Sequence, residues 1–293
     1  FSHFHKIFDA FTATERRTWF AAIVVFLIAA SLMSVPAFYH GTVIAPAEGG
    51  SYREGIVGQP AFLNPLIAQS DADRSMNELL WSGLLDLAEQ YKVSDDHTTW
   101  TFILKPDLVW TDGKPITTND VLFTIEAIQD PETRSPLAPT WQGVVAERIS
   151  EYEIRFTLKS PYAFFLDNVR ELKVVPQHIF GAIPLSNLRL SDYNLEPVGS
   201  GSYAFLRLTK RKDGFITQYA LTRNDAYPLE NALIPSFTLR FYETYEDAIT
   251  AFNRKDIDGL GGLDYASAEN LKINHTVSVL EMPRYYALFL NQN

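Results

Sequence analysis

Hydrophobic and polar positions follow three rhythms along this chain. Residues 18–39 carry no formal charge and include the run Phe20-Ala-Ala-Ile-Val-Val-Phe-Leu-Ile-Ala-Ala30. At about 1.5 Å per residue, such a helix spans a hydrocarbon layer of about 30 Å. Period-two alternation predicts strands at 51–57, ended by Gly58-Gln59-Pro60, at 100–105 with Trp100, Phe102 and Leu104 on one face, and at 152–158 through Tyr152, Ile154, Phe156 and Leu158. A hairpin is expected from 203–209 and 215–221 around Lys212-Asp213-Gly214, followed by a strand through Phe237, Leu239 and Phe241. Two further strands are expected to close the chain, the last at 286–290. Spacings of three and four predict a helix from Asp71 to about Gln90, with Met76, Leu79, Leu80, Leu84 and Leu87 as its apolar stripe. Thr117 and Asp120 have capping-box spacing before a helix to about Gln129 that buries Leu122, Ile125 and Ile128. Residues 164–169 read as a short helix, and Thr244 caps one that buries Ala248, Ile249 and Phe252. Interspersed helices and short strands give a mixed α/β (α+β) fold, not a bundle or a sandwich.

Charge gives the apolar segment a direction. Residues 1–17 hold Lys6, Arg16 and Arg17 against Asp9 and Glu15, a balance of +1, so with −10 for the whole chain the remainder carries −11. The positive-inside bias places a cytosolic tail at 1–17 and the bulk of the chain on the extracytoplasmic side of the cell membrane. As a single-pass anchor, 18–39 has the right length and flanks, with Pro36 near its end. The competing reading is a cleaved signal peptide ending at Ala45-Pro46-Ala47, which lies far beyond a signal-type apolar region. Residues 40–50 form a linker of small and turn-forming residues. The opening Phe1, and a stop just after a strand-like run, lead to the expectation of a piece of a longer protein.

The chemistry in the 293 residues is sparse. Net acidity argues against nucleic acid as a partner. No cysteine is present, which excludes disulfides, zinc-thiolate sites and thiol catalysis. The six histidines show no metal-ligand spacing, and no metal or cofactor is expected. Gly199-Ser-Gly-Ser matches a dinucleotide fingerprint by spacing, but an alternating strand follows where that motif needs a helix. No nucleophile elbow or P-loop is present, and no catalytic residue is assigned. A carboxylate pair among the 35 acids stays open, and with it a membrane-anchored hydrolase. Aromatic residues reach 13%, which suits a core and a ligand cleft alike.

Several motifs fall in an order that resembles the family 5 extracytoplasmic solute-binding proteins, the peptide- and nickel-binding components of ABC importers. They are the stretch from Ser94 to Ile125 with Trp110-Thr-Asp-Gly-Lys-Pro115, then Asp130-Pro-Glu-Thr-Arg-Ser-Pro136, then Tyr152-Glu-Ile-Arg-Phe-Thr-Leu-Lys-Ser-Pro-Tyr162. Val175-Pro-Gln-His-Ile179, Pro197-Val-Gly-Ser-Gly-Ser-Tyr203, Arg223-Asn-Asp-Ala-Tyr227 and Asp256-Ile-Asp258 follow, with Gly49-Gly50 and Gln59-Pro-Ala-Phe-Leu-Asn-Pro65 upstream.

The resemblance implies a periplasmic-binding-protein-like type II lobe with an inserted extra domain. Residues 48–65 and 195–285 would form lobe I, 66–190 the insertion, and 286–293 the start of a crossover to a second lobe that is largely missing. Gly58, Gln59, Pro60 and Ala61, with Leu260, Gly261 and Gly262, match segments lining the family's cleft, and Trp141 lies near a ligand-facing stretch. The implied partners are a peptide ligand, an ABC permease and the membrane. A nickel chelate or a sugar as ligand, and a sensor on the same scaffold, stand as alternatives.

Overall fold

A computed structural model of the chain describes residues 12–41, 46–263 and 265–279. The chain divides into two units, Phe1–Ala47 and Glu48–Asn293. In the first, helix α1 (Ala13–Gly41) begins five residues before the expected span and continues through Pro36. Its start is capped reciprocally: the Thr12 N–H donates to Glu15 Oε2 at 2.8 Å, and the Glu15 N–H to Thr12 Oγ1 at 3.4 Å. Residues Ala13–Ser34 have a mean hydropathy of 1.8 with none of the apolar window buried by protein, a helix long and apolar enough to cross a membrane.

The second unit holds, in order, β1 (Ser51–Val57), α2 (Asp71–Leu80), α3 (Leu84–Leu87), β2 (Ala88–Val93), β3 (Thr99–Leu104), α4 (Thr118–Gln129), α5 (Ala138–Trp141), β4 (Val145–Arg148), β5 (Glu153–Thr157), α6 (Phe165–Glu171) and α7 (Gln177–Phe180). After two 3₁₀ turns come β6 (Tyr203–Lys210), β7 (Ile216–Arg223), β8 (Ser236–Tyr242), α8 (Tyr245–Asn253), β9 (Gly259–Leu260) and α9 (Tyr265–Ala268). One sheet has the order β6-β7-β8-β1-β9, with β1 parallel to both β8 and β9. The other is antiparallel, in the order β2-β3-β5-β4.

Alternation decides which face of each strand is buried. Trp100, Phe102 and Leu104 turn inward from β3, and Ile154 and Phe156 from β5. Tyr152 precedes β5 and is 38% exposed, so the buried row begins two residues later than expected. Both helix caps form as read: Thr117 and Asp120 close a capping box on α4, and Thr244 Oγ1 accepts the Asp247 N–H at 3.2 Å on α8. In α4 the buried face is Val121, Thr124, Ile125 and Ile128, with Leu122 only half-buried. One apolar cluster runs from Leu63, Leu66 and Trp81 through Phe102 and Phe156 to Tyr219 and Leu239, and so joins both sheets.

The single helix expected over 71–90 is not formed. α2 stops at Leu80 because its carbonyl accepts the N–H groups of Ser200 and Gly201, at 3.1 and 2.9 Å. Trp81 turns extended and buries its indole, whose Nε1 donates to the Leu63 carbonyl at 2.9 Å. Leu84 and Leu87 keep their three-residue spacing in the one-turn α3, and the polar run after them pairs with β3 as β2. Of the two closing strands, β9 is the short first one; 286–290 lies outside the described residues.

Candidate functional site: the strand-end loops of the parallel sheet

Because β1, β8 and β9 run parallel, their carboxyl ends share one edge of the sheet, and open α/β sheets bind ligands in the crevice outside such ends. Three loops meet there: Gly58-Gln59 after β1, Glu243-Thr244 leading into α8, and Gly261-Gly262 after β9. The Gly58 N–H donates to the Tyr242 carbonyl at 2.8 Å, extending the ladder by one bond before the chain turns at φ +94°. Gln59 Oε1 accepts the Ile216 N–H at 2.7 Å, which brings the β6–β7 turn to this edge. An open depression of about 650 Å³ results, lined by Gly58, Gln59, Arg211, Asp213, Phe215 and Glu243. Arg211 lies across it, paired with both Asp213 and Glu243 at 2.6 Å, its guanidinium 4.8 Å from the Phe215 ring centre.

Other expected site residues fall elsewhere. Pro60 is buried, and the N–H groups of Ala61 and Phe62 donate to Asp73 Oδ1 at 2.8 and 3.0 Å, fastening the turn onto α2. Trp141 is 1% exposed, packed edge-on to Phe165 and tilted against Phe156, so it offers no surface to a solute.

Leu260, Gly261 and Gly262 follow a strand that is stapled in place. Arg53 Nε and Nη2 donate to Asp258 Oδ2 and Oδ1 at 2.9 and 2.8 Å, the Arg53 N–H donates to Asp258 Oδ2 at 3.0 Å, and the Asp258 N–H donates to the Arg53 carbonyl at 2.8 Å. The Arg53 guanidinium holds the Asp258 carboxyl below the usual range. On the opposite face of β1, the Tyr52 hydroxyl donates to Glu54 Oε2 at 2.8 Å, and the Gly261 N–H also reaches Glu54. Burial nonetheless pushes the Glu54 carboxyl above its usual value. A Cβ on Gly259 would strike the Tyr52 hydroxyl and Glu54, so a side chain there would have to displace that pair.

The sequence motifs in the middle of the chain build the scaffold. The Gly199-Ser200-Gly201 loop lies against the end of α2, where a Cβ on either glycine would meet the backbone of Leu79 and Leu80. Ser82 and Ser200 exchange bonds there at 3.0 and 2.6 Å, and Asn224 Nδ2 donates to the Gly201 carbonyl at 2.8 Å. In Val175-Pro-Gln-His-Ile179, the Val175 and Gln177 N–H groups donate to Thr124 Oγ1 and Asp120 Oδ1, while His178 Nε2 lies 2.8 Å from Asp112 Oδ2. Among the described residues no group of three His, Cys, Asp or Glu is placed to hold a metal.

The residues that sequence reasoning missed are Arg211, Glu243 and Glu54. For Glu54 a signal existed, since an acid interrupts the inward row of Tyr52 and Ile56. Arg211 and Glu243 gave none, because separate turns bring them together.

A mixed α/β unit with loops gathered at the carboxyl edge of a parallel sheet has the type II periplasmic-binding-protein architecture. Residues 85–293 match the family described as bacterial extracellular solute-binding proteins, family 5 Middle, and the chain belongs to that family. Among its relatives, the oligopeptide-binding protein AppA of Bacillus subtilis is 28% identical over 247 residues, covering 78% of this chain and 44% of AppA. Protein XP55 of Streptomyces lividans is 31% identical over 219 residues, covering 70% of this chain and 38% of that protein. The structure of AppA from Bacillus subtilis in complex with a nonapeptide superimposes with a TM-score of 0.67 at 25% identity, covering 73% of this chain and 44% of that one. The substrate-binding protein CtaP from Listeria monocytogenes gives 0.64 at 28% identity, with coverages of 72% and 44%. The chain thus spans less than half the length of these relatives.

Proposed function

We propose that this chain is the solute-binding component of an ABC importer, which captures peptides in an interdomain cleft and delivers them to a membrane permease. The observation that carries this reading is the convergence of Gly58-Gln59 and Leu260-Gly261-Gly262 at one edge of the parallel sheet, in a chain of this family. β9 ends the sheet, and among the described residues no strand pairs with its outer side. An extended peptide can lay its main chain along such an edge, gaining affinity without a reading of its side chains. The bare backbone at Gly261 and Gly262 allows close approach. Named relatives include an AppA whose structure is in complex with a nonapeptide, and several proteins of Brucella named as ABC transporter peptide-binding proteins.

In this reading the five-stranded sheet belongs to lobe I, formed by 48–65 and 195–285, and the four-stranded sheet to an extra domain inserted at 66–190. Gly58, Gln59, Leu260, Gly261 and Gly262 face the ligand, while Pro60 and Ala61 shape the turn. Capture is non-covalent, and no residue acts as a catalyst. The apolar helix serves as a single-pass anchor that keeps the binder at high effective concentration near its permease. Native mass spectrometry of the full-length protein should find co-purified peptides of mixed sequence. Only metal chelates or glycans, or turnover of an added peptide, would overturn the assignment.

A further inference from the structure

The turn after α4 and the 3₁₀ turn Leu185–Leu190 border a second, half-open depression of about 440 Å³ that shares no residue with the one at the strand ends; Glu132, Arg134 and Ser186 on its rim are exposed. Arg134 and Arg189 line it, together with Glu132, Thr133 and Ser186. Elsewhere in the unit, Arg53, Arg74, Arg155, Arg170, Arg211 and Arg223 end on carboxylates, while Arg148, Arg207 and Arg254 are exposed with no ion pair among the described residues and line neither depression. The guanidinium groups of Arg134 and Arg189 have no ion-pair or hydrogen-bond partner among the described residues. The Arg189 guanidinium carbon lies 5.0 Å from the centre of the Phe62 ring. Arg134 sits at φ +52°, a backbone state that costs a non-glycine residue about 1 kcal/mol or more. Thr133 is 3% exposed, and its Oγ1 has no hydrogen-bond partner. With Glu132 included, the lining carries a balance of +1 in a chain of net charge −10.

We propose that this depression binds the oxyanion of a small solute, a phosphate or a carboxylate, between the guanidinium groups of Arg134 and Arg189, with the Ser186 hydroxyl as a further donor. Planar guanidinium donors match both oxyanions, and two of them offset the repulsion from Glu132. Occupancy would tie the turn after α4 to the 3₁₀ turn through a shared ligand.

Isothermal titration of the full-length protein with inorganic phosphate, and separately with succinate, at an ionic strength held constant with chloride, tests this. At least one of the two should bind saturably at one site, and the two arms tell phosphate from carboxylate. R134Q/R189Q should weaken that binding by about tenfold or more, the loss of charge-assisted hydrogen bonds. E132Q should tighten it, a change of opposite sign that misfolding does not produce. R207Q/R254Q, at two exposed arginines outside the depression, should leave it unchanged. The proposal is overturned if neither anion binds saturably up to about 10 mM, a range that reaches weak sites, or if the two double variants lose affinity equally.

Discussion

Arg53 and Asp258, 205 residues apart in sequence, form a two-pronged ion pair that fastens the edge strand β9 to β1. The pair is about one-third exposed, so solvent screens it. Asp258→Ala should therefore cost about 1 kcal/mol, with added freedom in the 260–262 loop. The Asp258 carboxyl is held below its usual 3.8 in the folded state. Its contribution is present above that value and lost as pH falls through the lower folded value. Denaturant titrations at pH 7 and pH 3 should show the wild-type advantage over Asp258→Asn shrinking at the acidic end.

The two glycines against the end of α2 are held by space. Gly201→Ala places a methyl group on the Leu79 and Leu80 backbone, and the expected loss exceeds about 3 kcal/mol. Gly214→Ala is the control: φ there is +90° but nothing lies within 4 Å, so the cost should stay near about 1–2 kcal/mol. Urea midpoints for the two variants measure the difference.

Glu54 behaves in the opposite sense to Asp258. Its folded carboxyl titrates above the usual 4.5, so the folded state holds its proton longer than the unfolded chain does. Stability from this group falls as pH rises from about 4.5 through the folded value, then levels off. Glu54→Gln is expected to be more stable than wild type at pH 8, with the advantage fading toward pH 4. Thermal melts across that interval would show it, and an advantage that grows toward low pH would contradict the burial argument.

Trp141→Ala should remove about 3–5 kcal/mol of stability by opening a void beside Phe156 and Phe165. Trp141→Phe, which stays folded, is expected to leave peptide affinity unchanged in titration calorimetry. A large loss of affinity would return this residue to the cleft.

At Gly261 a new Cβ meets only Glu54 Oε1, at an ordinary 3.4 Å, so a side chain there does not threaten the fold. Gly261→Phe in the full-length protein should keep the melting temperature and weaken peptide binding about tenfold or more, about 1.4 kcal/mol of lost backbone approach.

Strands β3 and β5 were legible because each buries one face, which writes period two into the sequence. Caps at Thr117 and Thr244 were legible because an oxygen three residues before an acid has few other uses. The 88–93 segment was not legible: Ala-Glu-Gln-Tyr-Lys suits a helix, and only pairing with β3 makes it a strand. At the candidate site, Gly58 and Gln59 were named through family likeness alone. Arg211 and Phe215 escaped because only long-range contacts, the pairing of β7 with β8 and the Ile216 to Gln59 bond, bring their turn to the sheet edge. Trp141 was misplaced for want of periodicity: one indole in a four-residue turn gives no hint of which way it faces.

The apolar cluster that passes from Leu63 through Trp81 and Phe156 to Leu239 gives the two sheets one shared core. Calorimetry of the unit from residue 48 onward should accordingly record both sheets melting in one event. Damage to the packing under β4 and β5 would then weaken the sheet that carries the strand-end loops as well.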